Sequence, residues 1–219
     1  MPYAIEVTSG YTGGGLDLDS EQTLSGSVGS KSYTIEFTAT VTGNDLVVAS
    51  RSAQPPSAGI IFLTSGNDFE IRVPGRSTIS IDSGVDNNDE HKYKIVALNG
   101  SKEFFVDDVS IGVSTAQSDE MFDIAQFFVY GSSSRYGILN YFKSTDSLDS
   151  SNDIHLLNTS GTGSVWPDTS GNGNDATQTG TWPADNSEWV FYSTGPNTPI
   201  NPSITNLLAT SARLNWEQG

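Results

Sequence analysis

Nine consecutive residues, 33–41, alternate without a break: Tyr33, Ile35, Phe37, Ala39 and Val41 fall on one side, Thr34, Glu36, Thr38 and Thr40 on the other. A period of two lays the apolar residues on one face of a pleated strand and the polar ones on the opposite face, a pattern that a helix cannot use. Further strand-like runs stand at 46–49, 59–63, 69–73, 78–81, 93–98, 103–106, 109–113, 124–129, 138–142 and 190–192, and Tyr3, Ile5 and Val7 alternate near the N-terminus. Clusters of turn formers separate them, such as Gly43-Asn44-Asp45 and Ser65-Gly66-Asn67-Asp68. Asn99-Gly100 between two such runs predicts a two-residue type I′ hairpin. No stretch keeps a 3.6-residue period. Residues 118–125 could form a short helical turn with Ser118 as N-cap, or a loop leading into the next strand. Many short strands at roughly 8–12-residue spacing predict an all-β chain, a two-sheet antiparallel jelly-roll sandwich.

Charge narrows the partners. The 219 residues carry 10 Lys and Arg against 26 Asp and Glu, a formal net charge of −16. Nucleic acid is excluded as a partner, because phosphate neutralisation needs clustered cations and here they are scattered singly. No apolar stretch reaches the roughly 18–20 residues of a membrane span, so no membrane insertion is expected. With no Cys there is no disulfide, thiolate nucleophile or Cys-ligated metal. Residues 1–7 have neither a basic nor a long apolar region, so no signal peptide is expected. The expectation is therefore a virion component or, for an excised piece, an extracellular protein.

Composition shifts along the chain. Between about 144 and 185 apolar runs thin out and Ser, Thr, Gly, Asn and Asp dominate, which reads as a long-loop region carrying Trp166 and Trp182. Residues 194–202 hold three Pro and read as a stiff linker. Inside the loop region, Asp168-x-Ser170-x-Asn172-Gly173 has the oxygen spacing of the first half of an EF-hand-type loop, although its twelfth position is Thr179 rather than Glu. Calcium is therefore the candidate cofactor, with Asp168, Asn172 and Asp175 as ligands. The alternative is an Asx-rich turn whose side chains cap their own backbone. Asp86-Asn87-Asn88-Asp89-Glu90 is a second oxygen-rich loop.

The strand series together with the phrase Asp168-Thr-Ser-Gly-Asn-Gly-Asn-Asp175 makes residues 1–193 resemble a concanavalin A-like, laminin-G-like jelly-roll domain. The late position of the phrase is similar to variants in bacteriophage structural or tail proteins and marine bacterial surface proteins. Residues 203–219, ending in Leu214-Asn215-Trp216, resemble the start of a fibronectin type III domain, which would be truncated here. The resemblance implies non-covalent recognition of sugars or proteins on a sheet face or rim loops, often with calcium; some relatives are glycoside hydrolases.

The residues themselves argue against catalysis. The Glu-x-Asp-x-Glu strand of the glucanase relatives matches no segment. Asp17 and Asp19 have strand parity but are read as part of a Gly-rich loop. His91 and His155, the two histidines, read as surface groups near carboxylates, away from any Gly-x-Ser-x-Gly elbow. Sugar sites combine aromatic faces with polar groups that fix hydroxyls. The candidates are Tyr130, Arg135 and Tyr136 in one loop, with Trp166 and Trp182; the competing reading is that these Trp residues pin long loops down. The expectation is a non-catalytic recognition or adhesion module of a virion or cell-surface protein that binds glycans. The alternatives are a purely structural capsid or tail decoration that contacts other virion proteins, and an accessory carbohydrate-binding module of a secreted polysaccharide-degrading enzyme.

Overall fold

The computed structural model describes residues 3–7, 12–27, 29–50, 59–71, 78–115, 123–127, 136–181 and 188–191. The strands are β1 (Tyr3–Val7), β2 (Thr12–Thr23), β3 (Ser32–Val41), β4 (Asp45–Ser50), β5 (Gly59–Thr64), β6 (Asp68–Ile71), β7 (Ile79–Asp82) and β8 (His91–Leu98). They continue as β9 (Ser101–Val106), β10 (Val109–Ser114), β11 (Asp123–Phe127), β12 (Gly137–Asp146), β13 (Ile154–Leu156), β14 (Val165–Trp166), β15 (Ala176–Thr181) and β16 (Trp189–Phe191). Sheet I has the order β10-β9-β8-β3-β12-β1-β16, with β13 also on β12; sheet II has the order β14-β15-β2-β11-β4-β5-β6-β7. Every ladder named is antiparallel, and the chain is a two-sheet jelly-roll sandwich.

The alternation of 33–41 is realised as expected: β3 buries every second residue, and Tyr33, Ile35, Phe37, Ala39 and Val41 enter the core. An aromatic ladder joins the layers. Phe37 of sheet I stacks on Tyr93 (5.4 Å) and meets Phe69 of sheet II edge-on at 5.9 Å, while Phe127 of sheet II meets Phe142 of sheet I at 4.7 Å. Such pairs add about 0.5–1.5 kcal/mol each beyond the area they bury.

Asn99 and Gly100 both take positive φ (48° and 86°) and join β8 to β9, with Leu98 opposite Ser101, which is the predicted type I′ geometry. A second turn of the same kind, Asp107-Asp108 (φ 49° and 65°), joins β9 to β10. Two sequence readings are corrected. Asp17 and Asp19 lie in β2, a strand inside sheet II rather than a loop. The loop-like stretch after 144 contains β13, β14 and β15: β13 pairs with the long β12, and the Thr-rich β15 pairs with the long β2 and carries the two-residue β14 on its other side, so none needs a long apolar run of its own. Ala125 belongs to β11; residues 118–122, the linker and 203–219 lie outside the described residues. Among the described residues no helix is long and apolar enough to cross a membrane.

Candidate functional site

Trp166 cannot present a face to a sugar. It is fully buried and meets Phe127 edge-on at 6.0 Å, because the β14–β15 pairing presses it into the core. Tyr136 is half-buried just before β12, and its carbonyl accepts from Thr42 N and Gly43 N (3.1 and 3.3 Å) at the β3–β4 turn. Tyr130, Arg135 and Trp182 lie outside the described residues.

The structure does bring Asp168, Asn172 and Asp175 into one loop, but their geometry is that of a hydrogen-bonded turn. Asp168 Oδ1 accepts from His155 N and Ser170 N (both 2.9 Å); Oδ2 accepts from Ser170 Oγ (2.7 Å) and Asn174 N (2.9 Å). A carboxylate has about four lone-pair sites, and these four donors occupy them. Asp175 Oδ1 accepts from Asp168 N at 2.7 Å, and Asn172 Nδ2 donates to the carbonyls of Ser150 and Asp153. Partial burial pushes the Asp168 carboxyl up, but the bonds from Ser170, His155 and Asn174 together outweigh it and hold the group below its ordinary value. Calcium needs six to eight oxygens with free lone pairs, and the Asp168 carboxylate, the central one of the three expected ligands, offers none.

The outward faces of the two sheets are the remaining candidates. On sheet I, Lys143, Glu36, Lys94 and Phe105 are successive register partners across β12, β3, β8 and β9. Tyr141 Oη donates to Glu36 Oε1 at 2.7 Å, and burial, then that bond, push its phenol up. Lys94 Nζ lies 4.5 Å over the Phe105 ring and donates to Asp108 at 3.1 Å; Lys92 also donates to Asp108. Those two bonds hold Asp108 below its ordinary value. His91 Nδ1 meets Asp107 Oδ2 at 2.7 Å, and Asn140 Nδ2 donates to Glu90 Oε2 at 2.6 Å. Burial nevertheless leaves Glu90 raised.

Sheet II differs. Leu16, Leu18, Ala49, Ile124 and Phe127 point into the core, so the pleat turns Asp17, Gln126 and Ser50 outward. Thr177, Asp17, Gln126 and Ser50 are successive register partners across β15, β2, β11 and β4. Asp17 and Ser50 are thus two strand spacings apart, about 10 Å. This outward face is itself shielded: Ser50 is 3% exposed, Val47 2% and Ala125 5%. Asp17 Oδ1 and Ser50 Oγ are both buried and without a hydrogen-bond partner. Other buried polar atoms lack partners too, including Trp166 Nε1 and Ser144 Oγ, but these two share a row facing away from the core.

The sequence reading missed this row. Its signals were the alternation Leu16-Asp17-Leu18-Asp19, hidden behind Gly13-Gly14-Gly15, and a single Gln inside the apolar run of β11.

No family model matches the sequence, and no curated protein matches it. Among solved structures, the chain is similar to a galectin from Caenorhabditis elegans at 9% identity and a TM-score of 0.32, covering 57% of this chain and 94% of that one. It is also similar to the kappa-carrageenase from Pseudoalteromonas carrageenovora, solved with a carrageenan oligotetrasaccharide, at 12% identity and a TM-score of 0.24, covering 64% of this chain and 66% of the carrageenase. At such values neither neighbour speaks to function, and the site rests on this chain's own residues.

Proposed function

We propose that this chain is a non-catalytic recognition module that binds glycans through the Asp17–Gln126–Ser50 row, as an adhesion element of a virion or cell-surface protein. The observation that carries the reading is the pair of buried, unpartnered oxygens on the outward side of sheet II. A buried polar atom left unpaired costs about 1–3 kcal/mol, and a ligand that supplies the missing partners recovers it. Sugar hydroxyls are suited to the task, since each can donate to the Asp17 carboxylate or exchange bonds with the Gln126 amide and Ser50 hydroxyl. The row spans about 10 Å, matching a short stretch of linked sugar rings. Tyr136 stands apart: it lies beside the start of β4, whereas Ser50 closes that strand's far end.

A glycan array followed by calorimetry tests the reading. Asp17→Ala is expected to weaken binding about tenfold to a hundredfold, the loss of a charge-assisted hydrogen bond. Lys143→Ala on sheet I is expected to change nothing. Because the row is shielded, association is expected to run slower than roughly 10⁵ M⁻¹s⁻¹. An array without hits, or binding indifferent to Asp17 and Ser50, would remove the glycan reading and leave the row as a contact for another virion protein.

A further inference from the structure

We infer that one end of the sandwich is closed by a metal-free aspartate clasp, in which N–H and O–H donors stand where a jelly roll of this kind would be expected to use calcium. Asp168 is one of two hubs. The other is Asp146 at the end of β12, only 3% exposed. Its Oδ1 accepts from Leu148 N (2.9 Å) and Asp149 N (3.3 Å), and its Oδ2 from Ser25 N (2.6 Å) and Asn152 Nδ2 (2.9 Å). Both carboxylates therefore have their four acceptor sites filled.

Asp153 links the hubs. Its Oδ1 accepts from Asp146 N at 2.7 Å, and its carbonyl accepts from Ser170 Oγ, Asn172 Nδ2 and Asn174 Nδ2 at 3.0–3.2 Å. The Asp168 and Asp146 carboxylates and the Asp153 carbonyl, the oxygens at the centre of the clasp, are thus already engaged by donors whose dipoles would repel a cation.

The clasp also crosses between the layers. Asp168 holds the His155 amide of β13 in sheet I, while Asn174 Oδ1 accepts from Gln22 Nε2 of β2 in sheet II at 2.8 Å. Asp19 N donates to the Asp175 carbonyl at 3.0 Å, adding a second tie to β2. The bonds onto the Asp168 carboxylate are charge-assisted and about twice as strong as neutral ones, whereas the two ties to β2 are neutral.

Melting of the full chain in chelator and in millimolar calcium tests the inference. The two curves are expected to coincide, and Asp168→Asn is expected to lower the melting temperature by about 5 °C, alike in both buffers. A melting temperature that rises with calcium concentration would overturn it, since that is the mark of an ion bound by the native state alone. So would an Asp168→Asn protein as stable as the parent in both buffers. Should that variant fail to fold, calcium titration calorimetry on the parent and melting of Asp175→Asn decide: no heat and a lowered melting temperature support the clasp, while binding heat overturns it.

Discussion

On the outward face of sheet I, Tyr141 donates to Glu36 and both Lys92 and Lys94 donate to Asp108; on that of sheet II, Asp17 Oδ1 and Ser50 Oγ have nothing to bond. Both faces come from the same pleat, with apolar residues turned inward and polar ones outward. The difference lies in solvent and partners. Sheet I pairs its charged groups across neighbouring strands in partial contact with water, where a mismatch would cost little, and leaves Asn140 Oδ1 buried without a partner. Sheet II shields its groups, so each unpaired oxygen is expensive. A face whose charged groups pair with each other has less reason to bind than a shielded one with two unpartnered oxygens in a single row.

Trp166→Ala gives the largest expected effect. Loss of a fully buried Trp is expected to cost about 3–5 kcal/mol in denaturant unfolding. A small cost together with lost glycan binding would move recognition from sheet II to the rim.

Acid comes next and needs no mutation. Asp146, like Asp168, is pushed up by burial but held below its ordinary value by the bonds from Ser25, Asn152 and Leu148. A carboxyl depressed in the folded state stabilises fully above its unfolded value and loses that contribution as pH falls through the folded one. Stability should therefore hold down to pH 3.8, the ordinary carboxyl value of both groups, and fall below it. Glu90 on sheet I runs the other way: its raised carboxyl favours the protonated form, so acid slightly strengthens its neighbourhood. Unfolding that sets in well above pH 4.5, the ordinary Glu90 value, would show that the clasp is not what fails first.

The smallest effects are the sharpest, because they differ in sign. Ser50→Ala removes an unpaired buried hydroxyl and is expected to raise the stability of the free chain by about 1 kcal/mol. Tyr141→Phe removes a paired one and is expected to lower it by a similar amount, about 1 kcal/mol. Equal signs in denaturant melts would mean that Ser50 has a partner and that the two faces do not differ.

The strand pattern was legible where one strand carried its own alternation. β3 and the β8–β9 hairpin follow from Tyr33 to Val41 and from Asn99-Gly100, since side-chain parity and a left-handed turn are local properties. β2 and the strands after 144 were not legible. Gly13-Gly14-Gly15 and the Thr-rich stretch of β15 are strands because a neighbour pairs with them, not because of their own propensity.

The same division holds for the site. Sequence alone determined an acidic all-β chain with two apolar inner faces and an oxygen-rich loop at 168–175. It could not say whether those oxygens were open to a cation, because the answer lies in which N–H groups fold back onto them from β13 and from 170–174. Nor could it set Asp17 beside Gln126 and Ser50, residues far apart in the chain, since only strand order and register decide which side chains share a row.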